Sequence, residues 1–285
     1  MTANESLVET DWLEAHLEDP SLRVYDCTVF FSSPDGKRMQ LDSAAAAYAE
    51  GHIPGSGFID VLGDLSDESS PLTLQCPSAD AFAAAMSRYG IGDGVRVVLY
   101  DQQMMMWSTR VWWMLRAMGF DNAAVLNGGW HKWTKEGRAT STEATAFPPA
   151  TFVAKPRPKL FADKDAVLAA IGRDDTRIVS ALMHEMHAGK VLDITERGHI
   201  TSSTCVPFSE ILDPETQAYL PTEALQKKFA DAGATADKQV ITYCGTAIAA
   251  TSDAFALHLL GRDNVAVYDG SLEEWSADPD LPMEK

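Results

Sequence analysis

The chain is written twice. Gly51-His52-Ile53-Pro54-Gly55-Ser56 recurs as Gly198-His199-Ile200-Thr201-Ser202-Ser203, and Arg96-Val97-Val98-Leu99-Tyr100-Asp101 is answered by Gln239-Val240-Ile241-Thr242-Tyr243-Cys244. Ala117-Met118-Gly119-Phe120-Asp121-Asn122 matches Leu259-Leu260-Gly261-Arg262-Asp263-Asn264. Ala124-Val125-Leu126-Asn127-Gly128-Gly129-Trp130, with Trp133, matches Ala266-Val267-Tyr268-Asp269-Gly270-Ser271-Leu272, with Trp275. Matching blocks in one order, offset by a little over 140 positions, fold as two copies of one domain rather than as a solenoid. A length of 285 residues gives each copy enough chain for its own core.

Within each copy, short β-branched runs alternate with helical segments. Residues 22–26, 95–100 and 123–126 read as strands in the first, with helices over 79–89 and 108–117. The second gives strands at 177–179, 239–243 and 265–268 and helices at 222–232 and 250–260. This alternation predicts an α/β fold: two tandem domains, each a parallel sheet flanked by helices. Pro148, Pro149, Pro156 and Pro158 fall in an aperiodic stretch, so 146–159 is expected as a linker between domains at 1–145 and 160–285.

In this register Cys244 stands where the first copy has Asp101. A strand that ends in a cysteine, turns over Gly245-Thr246-Ala247-Ile248-Ala249 and feeds a helix presents the sulfur to backbone N–H groups and a helix N-terminus. Both favour thiolate, the nucleophilic form. A free cysteine titrates near about 8.5, and a dipole contribution of roughly 1 kcal/mol lowers that by under one unit, so several N–H donors have to add to it. Ligands of parallel sheets bind beyond the carboxyl ends of the strands, where Cys244 falls. A buried, inert cysteine at a strand end is the competing reading. The copies keep a scaffold and differ at this loop, so the second half reads as catalytic and the first as support.

Composition narrows the partners. A formal charge of -18 argues against nucleic acid and anionic membranes, and an anionic ligand needs local positive potential. No apolar run reaches about 18 residues, so no membrane span is expected. The opening Met1-Thr2-Ala3-Asn4-Glu5-Ser6 has no basic stretch leading into an apolar one, so no secretory leader is expected. Cys27, Cys76, Cys205 and Cys244 have neither close pairing nor metal-like spacing, which fits free thiols, a reducing cytoplasm and no metal. A monomer is expected.

These residues resemble the two-domain rhodanese and 3-mercaptopyruvate sulfurtransferase family over nearly the whole chain. The resemblance rests on the Gly-His-Ile-Pro-Gly block at 51, its echo at 198, the cysteine loop at 244 and the Asp269-Gly270-Ser271 ending with Trp275. It implies a catalytic cysteine in the second domain alone and an active site between the domains. Cys244 takes a sulfane sulfur from thiosulfate or 3-mercaptopyruvate as a persulfide and passes it to a thiol or cyanide-like acceptor. The N–H groups of Gly245 to Ala249 hold the anion, and no cofactor is needed. Cys244-Gly245-Thr246 is similar to the mercaptopyruvate pattern, whereas thiosulfate enzymes place basic residues after the cysteine. Ala247 replaces the family's second glycine. A positive φ there costs alanine about 1 kcal/mol and is expected to distort the cradle. The family's Asp-x-Arg after the first strand of the second domain is absent: the chain reads Ser180-Ala181-Leu182-Met183-His184-Glu185-Met186-His187. Arg197, Lys190, His184 and His187 are the nearest candidates for holding the donor, with Arg110 of the first domain as either a substrate contact or an interdomain ion-pair partner.

Met104-Met105-Met106-Trp107 occupies the first-domain counterpart of the cysteine loop, and is expected to plug the interface or to line the apolar side of the pocket. His52 and His199 occupy equivalent places although only one copy has the cysteine, which favours a structural role. Trp112 and Trp113 are adjacent and point different ways on a helix, with at least one in the core. Two rivals stand beside sulfur transfer. A cysteine-dependent phosphatase needs Cys-x5-Arg to grip phosphate, and Ala250 stands at the arginine position. A non-catalytic or sulfur-relay module docking a partner protein is the other.

Overall fold

The computed structural model describes residues 5–191 and 193–285; residues 1–4 of the opening stretch read for a leader lie outside them. The first half contains β1 (Leu7–Val8), α1 (Thr10–His16), β2 (Leu22–Asp26), β3 (Val29–Ser32), β4 (Gln40–Ser43), α2 (Ala45–Glu50), β5 (Gly57–Phe58), α3 (Ala79–Arg88), β6 (Arg96–Tyr100), α4 (Met106–Ala117), β7 (Ala123–Leu126) and α5 (Gly129–Lys135). The second contains β8 (Phe161–Ala162), α6 (Lys164–Ala170), β9 (Thr176–Ser180), α7 (His184–His187), β10 (His199–Ile200), β11 (Thr204–Cys205), α8 (Thr222–Asp231), β12 (Gln239–Tyr243), α9 (Ile248–Leu259), β13 (Val265–Tyr268), α10 (Ser271–Ala277) and β14 (Met283–Glu284).

One sheet runs β1-β7-β6-β2-β5 and the other β8-β13-β12-β9-β11, and all these pairings are parallel. The orders correspond strand for strand, so the duplication read from the sequence is a duplication of topology. Strands buried on both faces carry continuous apolar runs; Val97 to Tyr100 and Val240 to Tyr243 are buried without a break. The β3–β4 hairpin is antiparallel and belongs to the first half alone: the second half has α7 and a 3-10 turn at Asp193–Thr195 between β9 and β11.

The halves meet through their equivalent helices. Thr109 of α4 and Thr251 of α9, which correspond in the repeat, place their hydroxyls 3.1 Å apart. Trp112 packs edge-on to Phe255 with 4.7 Å between ring centroids. Helices buried on every side are apolar all round, and Ile248 to His258 of α9 are buried without exception. The proline-rich segment has no helix or strand from 142 to 157, yet it is strapped along the first half. The N–H groups of Ala150 and Lys155 donate to the carbonyls of Ser87 (2.9 Å) and Met118 (2.8 Å). Gly119 (φ +87°) admits this strap, because a Cβ there would lie 2.7 Å from the Lys155 carbonyl oxygen.

Candidate active site

β12 sits between β9 and β13 and delivers Cys244 at its carboxyl end. The turn that follows is pinned from α10: the Cys244 N–H donates to Ser271 Oγ at 3.2 Å, and the Cys244 carbonyl accepts from the Leu272 N–H at 3.1 Å. Ala247 caps α9 in the left-handed region, with φ 62° and ψ 7°. The positive φ expected at this position is therefore present, and alanine adopts it without opening the turn. Backbone N–H groups of Gly245, Thr246, Ala249 and Ala250 donate to the sulfur. The expected cradle ran from Gly245 to Ala249; in the structure Ile248 and Ala249 already belong to the first turn of α9, and Ala250 joins the donors.

The expected acidification of Cys244 is corrected. The residue is buried, and loss of hydration raises its pKa above the ordinary cysteine value even though the four N–H groups pull the other way. The cradle offsets part of the burial cost without reversing it. Burial likewise pushes Cys76 and Cys205 up to about 12, and Cys27 well above its ordinary value.

Cys244 lines a cavity of about 560 Å³ between the domains. The residues expected to hold a donor are not gathered there. Arg197 spends its guanidinium on the carbonyls of Ser276, Asp278, Pro279 and Leu281, clamping the end of the chain. Lys190 is exposed and outside the cavity wall. His184 faces Glu210 at 3.1 Å on the surface. His187 stacks on His199 with centroids 3.7 Å apart, and burial, aided by its two histidine neighbours, lowers its pKa to about 4. Arg110 is an interdomain ion-pair partner: its Nη1 is 2.5 Å from Asp269 Oδ1 and its Nη2 donates to the Leu74 carbonyl at 2.7 Å. Burial opposes that charge, but Asp269 foremost holds it, and Arg110 is not part of the cavity wall.

The cations that line the cavity are Lys37 and Arg38, on the turn between β3 and β4. Sequence reasoning missed them. The signal was Pro34-Asp35-Gly36, a turn sequence after the apolar run Val29-Phe30-Phe31. Asp35 accepts the backbone N–H groups of Lys37 (2.8 Å) and Arg38 (2.9 Å), and the Lys37 carbonyl accepts from Asp193 N–H of the second domain at 3.0 Å. Met105 is buried, with the Gly128 N–H of its own domain on its sulfur, and Met106 and Trp107 line the cavity, the second of the two roles expected of this loop. His52 stacks on Tyr48, and its ring nitrogens meet the carbonyls of Tyr48 (2.7 Å) and Glu143 (3.0 Å). His199 repeats this against His187, a structural use in both copies. Among the described residues no cluster of three or more metal-ligating side chains occurs.

The parallel sheet with its loop at a helix N-terminus is built twice, and both copies match the model of the rhodanese-like domain. That model matches residues 9–136 and 164–278. The chain belongs to the rhodanese family. It is 33% identical to thiosulfate/3-mercaptopyruvate sulfurtransferase 2 of Arabidopsis thaliana, over 99% of this chain and 87% of that protein. To the 3-mercaptopyruvate sulfurtransferase of Escherichia coli K12 it is 31% identical, over 97% of each. The crystal structure of the Escherichia coli mercaptopyruvate enzyme SseA superposes with a TM-score of 0.83 at 30% identity, covering 95% of this chain and 99% of that one. In this rhodanese chain the arginine of a Cys-x5-Arg loop is replaced by Ala250, whose N–H rather than a cation meets the sulfur.

Proposed function

We propose that Cys244 is the sulfur carrier of this sulfurtransferase. The observation that carries the reading is its sulfur: the described cysteine that both lines the interdomain cavity and sits in a ring of backbone donors. The chain is a sulfurtransferase, and the transfer divides into two displacements. In the first, the Cys244 thiolate attacks the transferable sulfur of the donor: the outer sulfur of thiosulfate, whose S–S electron pair leaves with sulfite, or the thiol sulfur of 3-mercaptopyruvate. With 3-mercaptopyruvate the C–S bond breaks, its electron pair goes to carbon, and a proton converts the enolate to pyruvate. In the second, an acceptor removes the outer sulfur, and the electron pair returns to the Cys244 sulfur. The N–H groups of Gly245, Thr246, Ala249 and Ala250 are fixed where that charge develops, so they need no reorganisation as it appears. No step calls for a cofactor or metal.

Of the two donors named for the relatives, 3-mercaptopyruvate fits better. No charged residue lies between Gly245 and Ala249, and the cavity's cations stand on the first-domain turn. Mercaptopyruvate carries its carboxylate some bonds away from the reacting sulfur, within the style of reach that a distant cation serves, whereas the charge of thiosulfate lies beside its sulfane sulfur. We further take residues 1–145 as the supporting domain, 146–159 as the connecting strap and 160–285 as the domain bearing the nucleophile, in a monomer working among reducing thiols. Four unpaired cysteines support the last point. No helix among the described residues is long and apolar enough to cross a membrane.

Intact mass after incubation with each donor tests the reading. A gain of one sulfur in the parent and none in Cys244→Ser is expected, with higher kcat/KM for 3-mercaptopyruvate than for thiosulfate. An adduct on Cys27, Cys76 or Cys205 overturns the carrier assignment, and a thiosulfate preference overturns the donor assignment. An adduct without turnover of either small donor favours a relay to a protein.

A further inference from the structure

The stacked rings of the two domains are built alike from different residues. In the first domain His52 lies on Tyr48, with 4.0 Å between ring centroids and 13° between planes, and its Nδ1 meets the Tyr48 carbonyl. The second domain repeats the arrangement with His199 on His187, at 3.7 Å and 14°, and His199 Nδ1 meets the His187 carbonyl. Neutral groups satisfy the first pair: the Tyr48 hydroxyl donates to the Ser56 carbonyl at 2.6 Å, and His52 Nε2 meets the Glu143 carbonyl at 3.0 Å. In the second pair an imidazole replaces the phenol, so both rings can take a proton near neutral pH. The buried Nδ1 of His187 has no hydrogen-bond partner among the described residues.

The surroundings leave a charge on His187 uncompensated. His199, against its face, has Glu284 of β14 at 3.8 Å from Nε2. His184, one turn back on α7, has Glu210 at 3.1 Å, and Lys228 of α8 reaches the same carboxylate at 3.2 Å. Glu185 of α7 and Lys190 beyond it are exposed. Each neighbouring histidine therefore has a carboxylate, whereas His187 has the two histidines. Burial foremost, then His199 and His184, hold its pKa at about 4 against an ordinary 6.5. A proton bound there sits in a stack that gives it neither water nor an acceptor.

The element held by this stack is slight. α7 is a single turn of four residues, none of them fully buried. Weakly packed elements of this kind open locally while the rest of the fold stays closed. Yet Met186 of α7, and Asp193, Ile194 and Thr195 beyond it, line the interdomain cavity. The Asp193 N–H also bonds the Lys37 carbonyl of the first-domain hairpin. Release of α7 thus loosens one wall of the cavity.

We propose that the His187–His199 stack is an acid-released latch, which holds α7 and the cavity wall closed at neutral pH and lets them open when His187 takes a proton. The sign follows from linkage. The open form binds a proton that the closed form refuses, so closure weakens as pH falls from about 6.5 toward 4 and changes no further below that. Those two values set a ceiling of roughly thirty-fold on the rise in opening between pH 7.5 and 5.0, and the partial exposure of the ring lowers the expectation to about ten-fold. The first domain, with tyrosine in the place of His187, has no such latch.

Hydrogen–deuterium exchange of the full chain at pH 7.5 and 5.0, with rates divided by the chemical exchange rate at each pH, tests this. Residues 184–191 report the latch, and 45–52 are the control within the same molecule. Protection of 184–191 should fall about ten-fold on acidification and that of 45–52 by less than about two-fold. His187→Tyr rebuilds the first-domain pair, and His187→Gln removes the titrating ring altogether. In either variant 184–191 should change by less than about two-fold between the two pH values, with parental protection of 239–243 as the sign that the fold is intact. Unchanged protection of 184–191 in the parent, an equal loss in 45–52, or the parental loss retained in whichever variant folds overturns the proposal.

Discussion

The loops after β6 and β12 build the same anion cradle and fill it differently. In the first domain the Asp101 carboxyl occupies it. Oδ1 accepts the N–H groups of Gln103 (2.7 Å) and Met105 (3.1 Å), and Oδ2 accepts the N–H and hydroxyl of Ser108, both at 2.8 Å. In the second domain a sulfur takes that place, and Ala250, the repeat partner of Ser108, supplies an equivalent donor. Both loops close through a residue in the left-handed region, Met105 (φ 59°) and Ala247 (φ 62°). Burial raises the pKa of both occupants despite the donors. The cradle is thus a property of the fold. Chemistry enters where its occupant can gain and lose charge at a cavity, as Cys244 can, while Asp101 lies outside the cavity wall.

The sharpest way to break this comparison is to remove each occupant. Cys244→Ser should lower sulfur transfer by at least about a thousandfold, since a hydroxyl neither ionises at neutral pH nor carries a sulfane sulfur. Its unfolding free energy should stay within about 1 kcal/mol of the parent. Retained turnover, measured by sulfide or pyruvate release, ends the carrier assignment.

The next difference lies one turn along the helices. Arg110 of α4 reaches Asp269, whereas the repeat partners of these residues, Ser252 and Asn127, are uncharged. The interface is locked by charge in one direction only. Arg110→Ala leaves Asp269 and the Leu74 carbonyl without their partner, and about 3–5 kcal/mol of stability should be lost in denaturant melts. A loss under about 1 kcal/mol means that water replaces the guanidinium and the pair is no latch. Asp101→Ala follows in size: buried N–H groups of Gln103, Met105 and Ser108 lose their acceptor, for about 2–4 kcal/mol. If Asp101→Ala and Cys244→Ser cost the same, the claim that one cradle is structural and the other chemical fails.

Much of this was legible in the sequence because it was repeated. The central strands, the interface helices and Cys244 each had a counterpart against which to be read. Lys37 and Arg38 had none: their hairpin is an insertion in one copy, and the turn lies far along the chain from Cys244. Arg197 misled for the opposite reason, being close in sequence to the expected site while its carbonyl partners lie some 80 residues away. The pKa of Cys244 was misjudged because N–H donors can be counted in a strand-turn-helix pattern, while the hydration lost to a domain interface cannot.

Asp253 of α9 breaks the repeat without an evident gain. Its partner in α4 is Val111, and both are fully buried. Neither carboxyl oxygen has a hydrogen-bond partner among the described residues, and burial raises the pKa well above the ordinary value. Asp253→Val should therefore stabilise the fold by about 1–2 kcal/mol at neutral pH. The sign with pH follows from linkage. Between the unfolded and folded pKa values the native state holds a proton that the unfolded state has lost, so parent stability falls as pH rises through that window. The advantage of Asp253→Val should grow as pH is raised from about 4. A variant that is destabilised, or whose advantage ignores pH, shows that Asp253 has a partner of its own.

The smallest effect concerns Ala247, where the two loops agree most closely. A left-handed alanine costs about 1 kcal/mol, part of which glycine gives back through its freer unfolded chain, so Ala247→Gly should stabilise by about 0.5 kcal/mol. The N–H groups already meet the sulfur with alanine in place, so the cradle has nothing to gain. Iodoacetamide alkylation of Cys244 should then rise with pH along the same curve in parent and variant. Burial holds the pKa above the ordinary value of about 8.5, so both curves should still be climbing at that pH rather than levelling off. A glycine variant that levels off at lower pH shows that alanine does distort the cradle, and that the first-domain loop, with methionine in the same conformation, tolerates strain that the sulfur does not.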